Sequence, residues 1–214
     1  MDDTEGLIAR LTEGLQPVKR LPPPTLRAAL WLGVVAVLGA ILVFGFSDLP
    51  MFVRRIADPK LALELTGTLL TGILAVVAAF ELSLPDRPLT WALLPAPSFV
   101  LWLGSSSYSC WRHWLVRGAG HLQAGEGADC FLWIVAFGVP LAVSLFLVLR
   151  RAHPLAPAPV AAMAGLGVAS LAAFLLQFFH PFDVTFIDLG LHLAAVATVI
   201  VLARAVARPG LNPS

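Results

Sequence analysis

Two cysteines, Cys110 and Cys130, are the only thiols among 214 residues. They stand near the ends of a polar stretch, SYSCWRHWLVRGAGHLQAGEGADCF from Ser107 to Phe131, that separates two apolar runs. Three chemistries are open to them. A structural disulfide would close a loop of about 20 residues and stabilise it by roughly 3 kcal/mol in the chain-entropy picture. A redox-sensitive pair would couple thiol oxidation to the packing of the flanking helices. Two separate thiols at a membrane surface would do neither. His113 and His121 lie in the same stretch, and HPFDVTFIDLGLH adds His180, Asp183, Asp188 and His192. Imidazole, carboxylate and thiolate together are adequate ligands for a soft or borderline metal. Their spacing matches no metal-binding signature, and Asp188 and His192, four apart on one helix face, also suit a mutual pair or a bond to Gln177.

The elements around these residues follow from composition. The chain is 58% hydrophobic and 13% charged with a net charge of +1, and its mean hydropathy is +0.86. That excludes an ordinary soluble domain and gives no bulk electrostatic reason to bind nucleic acid. The apolar residues fall in blocks of about 20, the length that crosses a hydrocarbon core as a helix. Arg27 and Asp48 enclose the first block, Glu64 and Glu81 the second, Arg87 and Arg112 the third. Asp129 and Arg150 enclose the fourth, His153 and His180 the fifth, and the sixth runs from about Val184 to Ala203. The expected fold is therefore all-α, a polytopic bundle of six transmembrane helices with a short amphipathic N-terminal helix. The runs lack the alternation of a barrel strand, and no internal repeat of the transporter kind is present. Three parts are expected: an amphipathic tail and Pro-rich spacer over 1–25, the membrane domain over 26–206, and a short tail over 207–214. Early acids and the length of the first apolar run argue against a cleaved signal peptide.

Six crossings put both termini on one side. Arg10, Lys19, Arg20, Arg27, Arg87, Arg150, Arg151, Arg204 and Arg208 would share that side, against Arg54, Arg55, Lys60, Arg112 and Arg117 on the other. The positive-inside rule then places the termini in the cytoplasm and Cys110 and Cys130 outside, in a periplasm-like compartment where disulfides persist. Trp31, Trp91, Trp111, Trp114 and Trp133 fall near span ends, as interfacial tryptophans do.

Residues 3–16 predict a short helix. Leu7, Ile8, Leu11 and Leu15 fall at about 0°, 100°, 40° and 80° around its axis, a stripe near 100° wide. Pro17 ends it, and LPPPT follows as a stiff, extended spacer. So short a helix needs its apolar face covered by the bilayer surface, by the bundle or by a partner's groove. Its acids disfavour the bilayer, since interfacial helices are rich in Lys and Arg, and a groove in a protein partner fits this pattern. The chain has no phosphate-binding loop, nucleophile elbow or His-Glu metalloprotease motif, so neither an enzyme nor a cofactor is expected. A small transporter or channel using Glu64, Glu81, Asp188 and His192 is one alternative. A membrane-complex assembly subunit is another.

The stretches LIARLTEGLQPVKRLPPPTLRAALWLG, ADPKLALELTGTLLTGILAVVAAFELSLPDR, SCWRHWL, GEGADCFLWI, LRRAHPLAP and HPFD occur in an order and spacing similar to NrsF-type membrane proteins. These are negative regulators of extracytoplasmic-function (ECF) sigma factors. The likeness runs from about Leu7 to Arg208. It implies an anti-sigma factor in the inner membrane that holds a sigma factor inactive until a stress signal arrives. It also implies that a cysteine pair takes part in that response. Carried onto this chain, the pair is Cys110 and Cys130, although some members place one cysteine at the head of the last helix, where this chain has His180-Pro181. The implied partners are an ECF sigma factor and membrane lipid, with no direct nucleic-acid contact, and the sigma contact would fall on Leu7, Ile8, Leu11 and Leu15.

Overall fold

The structure is a computed structural model. It describes residues 2–13, 21–117, 124–152, 154–179 and 186–207, with backbone only at 2–3, 109–110, 112–114, 116–117, 124–130, 186–189, 191–192 and 203–207. Among the described residues there are helices and no strands. They are α1 (Asp2–Glu13), α2 (Pro24–Phe46), α3 (Leu49–Arg55), α4 (Pro59–Leu82), α5 (Ala96–Arg117), α6 (Ala124–Leu149), α7 (Pro157–Leu176) and α8 (Phe186–Ala207), with 3-10 turns at Leu89–Leu93 and Arg150–Ala152.

Local chemistry sets the boundaries. Pro24, Pro59 and Pro157 open α2, α4 and α7, where a missing N–H has no consequence and φ is already helical. Asp48 caps α3 by accepting from the Met51 N–H at 3.0 Å, and Asp58 caps α4 through the Lys60 N–H at 3.0 Å. These bonds satisfy donors that the first helical turn leaves open.

Four segments are long and apolar enough to cross a membrane: Pro24–Phe46, Pro59–Leu82, Phe131–Ala152 and Pro157–Leu176. The chain is thus a helical membrane protein. The expected third and sixth spans correspond to α5 and α8. In α5 the polar run Ser105–Ser109 with Arg112, His113 and Arg117 dilutes the apolar part. In α8 the apolar stretch among the described residues is the shorter Leu193–Leu202.

Three further details differ from the sequence expectation. The link between the first two spans contains a helix, α3, whose Phe52 ring stacks on Phe178 at 4.2 Å. Helix α4 begins at Pro59 and so carries both Glu64 and Glu81 inside it. The cysteine-bearing stretch is helical as far as Arg117 and again from Ala124, so each thiol position lies about two turns inside a helix and not in a loop.

Helix α7 is the hub, packing on α4, α6 and α8, while α5 and α2 pack on α4. Glycine permits this. A Cβ on Gly167 would come within 2.8 Å of Val76 Cγ2 and 3.1 Å of Val76 N, and one on Gly72 within 3.3 Å of the Gly167 carbonyl. The α4 and α7 backbones therefore touch, as in small-residue crossings of membrane helices. The stripe Ala161, Gly165, Ala169 and Ala173 is buried on the same helix. Between α4 and α5, Thr71 bonds Ser98 at 3.2 Å and the Gly67 carbonyl at 2.7 Å, so its buried hydroxyl is satisfied.

Two apolar clusters make up the core. One runs from Ala28 and Trp31 at the start of α2, through Phe80, Leu145, Leu149 and Val160, to Leu171 and Val196 beside the second. The other gathers Ile134, Ala172, Ala173, Leu176 and Ala195, with Phe131 and Trp133 packed against it.

Candidate functional site

The candidate regulatory surface begins on α1. Its one-sided pattern is present as a helix, and Thr12 folds its hydroxyl back onto the Ile8 and Ala9 carbonyls at 2.9 and 3.0 Å. Leu7, Ile8 and Leu11 are 56, 55 and 66% exposed. The bundle thus leaves these three side chains uncovered. Leu15, the fourth member of the stripe, lies outside the described residues. Leu21–Pro23 are exposed and without regular structure, and Pro23 has the polyproline angles φ −50° and ψ 144°. A segment of that kind is stiff.

At the start of α2 a buried arginine makes contacts that no local pattern foretells. Arg27 is the fourth residue of α2 and only 7% exposed. Its Nη2 donates to the Val148 carbonyl at 2.9 Å, and its guanidinium stands 5.2 Å from the centre of the Phe80 ring. Val148 is in the last turn of α6, where carbonyls lack helical partners and the dipole end is negative, so an arginine fits there. One turn along, Trp31 Nε1 donates to Ser144 Oγ at 3.2 Å. These two bonds tie the start of α2, and with it the base of α1's spacer, to the end of α6. At the same pole buried Glu81 pairs with Arg87, Nε to Oε2 at 3.1 Å. In sequence Arg27 only bounds the first apolar run, and it is the start of α2 at Pro24 that brings it inside the helix.

The thiol positions lie at the opposite pole. Helix α5 runs alongside α4 from the Thr71–Ser98 contact to Lys60, whose Nζ stands 5.8 Å from the centre of the Tyr108 ring, two residues before Cys110. Cys130 precedes Phe131, which packs at the second apolar cluster, at the end of α6 remote from Val148. Trp133 stacks on Phe137 at 3.9 Å and meets Phe179 at 5.3 Å there. The side chains of Cys110, Cys130, His113, Asp188 and His192 are outside the described part, as are residues His121, His180 and Asp183 altogether. On the backbone, Asp188 and His192 both fall in α8. Among the described residues no three His, Cys, Asp or Glu side chains come together as metal ligands.

The described part is thus a bundle of long apolar helices together with a short helix, α1, whose apolar stripe is exposed. The chain is a member of the NrsF family, negative regulator of sigma F, whose model matches residues 11–212. It is therefore a negative regulator with a sigma factor as its partner. The match opens at Leu11, so Leu7 and Ile8 extend the apolar stripe beyond the matched segment. No curated protein and no solved structure matches the chain.

Proposed function

We propose that the protein is an anti-sigma factor of the inner membrane that sequesters an ECF-type sigma factor on α1 and releases it when a redox or metal stress acts at Cys110 and Cys130. The observation that carries this reading is the stripe of Leu7, Ile8 and Leu11, more than half exposed on α1. Isolated helices of this length are marginal in water, and a covering groove would stabilise α1. In this reading α5 and α8 complete a six-span bundle, both termini lie in the cytoplasm and both thiols face the periplasm. Detergent extraction and pull-down of the full-length protein tests it: a sigma factor should co-purify. Ion flux through reconstituted vesicles without sigma capture, or recovery inside a large membrane complex, would replace it with a transporter or an assembly subunit.

The bundle offers a route for release. Helix α6 carries Cys130 near one end and, at the other, the Val148 carbonyl and Ser144 hydroxyl that hold α2. Displacement of α6 after oxidation or metal capture would strain the Arg27 and Trp31 bonds and move the base of the spacer. A differential of only about 1.4 kcal/mol between the two packings changes occupancy tenfold. Cys110→Ser and Cys130→Ser are each expected to leave sigma capture intact and to abolish induction of target genes by oxidant or heavy metal. Wild-type induction in both variants would remove the thiols from the mechanism.

A further inference from the structure

The pole where α2 meets the end of α6 carries positive charge that the described residues do not balance. Arg27 is only 7% exposed, yet its contacts are uncharged: Nη2 donates to the Val148 carbonyl, and the guanidinium faces the Phe80 ring. Its buried Nη1 has no hydrogen-bond partner among the described residues. Nor does a described carboxylate pair with it, since Glu81, the buried acid at this pole, is engaged by Arg87. More cations follow at once. Arg150 and Arg151 come two and three residues after Val148, both exposed, and Arg151 lies within charge–charge range of Arg27.

A buried cation without a counter-ion is strongly destabilising. Repulsion from Arg151 adds to this, because it pushes α2 away from the same corner to which the Val148 carbonyl holds it. An anion seated beside these arginines removes both penalties. Depth selects its source. Trp31 lies one turn inside Arg27, and Trp91 packs on the same apolar cluster. Tryptophans at span ends mark the headgroup level, so the arginines stand at the depth of lipid phosphates. Leu30 and Val34 on α2 and Val143 and Leu147 on α6 are exposed, which is the apolar surface that acyl chains need.

We infer that this pole is a binding site for an anionic phospholipid, whose phosphate is held by Arg150 and Arg151, neutralises the charge of Arg27 beside them, and so fastens the start of α2 to the end of α6. Basic sites between membrane helices take anionic headgroups in this way. The site requires neither the sigma factor nor the thiols.

The test places the full-length protein in nanodiscs of phosphatidylcholine, with and without phosphatidylglycerol, and reads melting temperature and the lipid retained in native mass spectrometry. Phosphatidylglycerol is expected to raise the melting temperature of wild type and to stay bound. Arg150→Gln/Arg151→Gln changes two exposed side chains, so it should melt as wild type in phosphatidylcholine. It should bind phosphatidylglycerol roughly tenfold or more weakly. Arg27→Gln keeps an N–H for Val148 and should gain less from phosphatidylglycerol than wild type does, whatever its own baseline. Equal gains in wild type and Arg150→Gln/Arg151→Gln would overturn the site. Equal stabilisation by inorganic phosphate would overturn the lipid as its occupant. If the acids of α1 filled the site instead, Asp2→Asn/Asp3→Asn/Glu5→Gln would lower the melting temperature in phosphatidylcholine while phosphatidylglycerol left wild type unchanged, and that result would overturn the inference too.

Discussion

Replacing Leu7 and Leu11 by Asp in the full-length protein is expected to abolish sigma capture while membrane insertion and melting of the bundle stay as in wild type. Both side chains are more than half exposed in the free protein, so the folded bundle loses no contact with them. In the complex each leucine that becomes buried contributes about 1.5–3 kcal/mol, and each aspartate in its place must shed hydration without an assured partner, at a cost of order 1–3 kcal/mol. The two changes together exceed about 4 kcal/mol, or roughly a thousandfold in affinity. The same substitutions add negative charge to a segment that already carries excess acid, which removes α1 still further from an anionic bilayer. Pull-down and titration in nanodiscs measure the effect. Retention of the sigma factor by the double variant would move the contact to another part of the chain.

The sequence announced α1 and the long spans because each depends on local pattern. Leucines at helical spacing with Pro17 beyond them predict a short helix wherever they occur, and an apolar run of 20 residues predicts a span. The family resemblance likewise ran along the chain in short local stretches, and the matched residues, 11–212, cover most of it. What stayed hidden was non-local. The seven-residue helix α3 forms in the link between α2 and α4 because Asp48 caps it and Phe52 stacks on Phe178, which lies far away in sequence. The polar stretch around Cys110 reads as a loop because Ser, Arg and His suggest exposure. Yet α5 carries on to Arg117, for once a helix is nucleated further turns add at little cost. The Arg27 and Trp31 bonds to α6 join residues more than a hundred positions apart. Periodicity gives no hint of such a link, on which the proposed route of release rests.

The seam that fixes α8 against α7 is expected to be the least tolerant feature of the bundle. A Cβ added at Gly165 would fall 2.7 Å from Ile200 Cα and 3.2 Å from Ile200 N. Backbone atoms cannot rotate aside as a side-chain tip can, so the two helices must separate. Opening a packed interface in this way costs about 1–3 kcal/mol for a small addition and more for a larger one. Gly104 has nothing within 4 Å of its Cβ position, and there alanine should only gain the helix propensity that glycine lacks, about 1 kcal/mol in aqueous hosts. The two substitutions therefore carry opposite signs. Gly104→Ala is expected to leave the melting temperature in detergent equal or higher, Gly165→Ala to lower it, and Gly165→Leu to abolish a single cooperative transition. Equal melting of Gly165→Ala and wild type would show that α7 and α8 are not closely packed at this seam. Because α6 packs on both α7 and α8, loosening the seam also loosens the helix whose last turn holds Arg27. Gly165→Ala should then raise sigma-dependent transcription without any stress, even though the substitution touches neither the thiols nor α1.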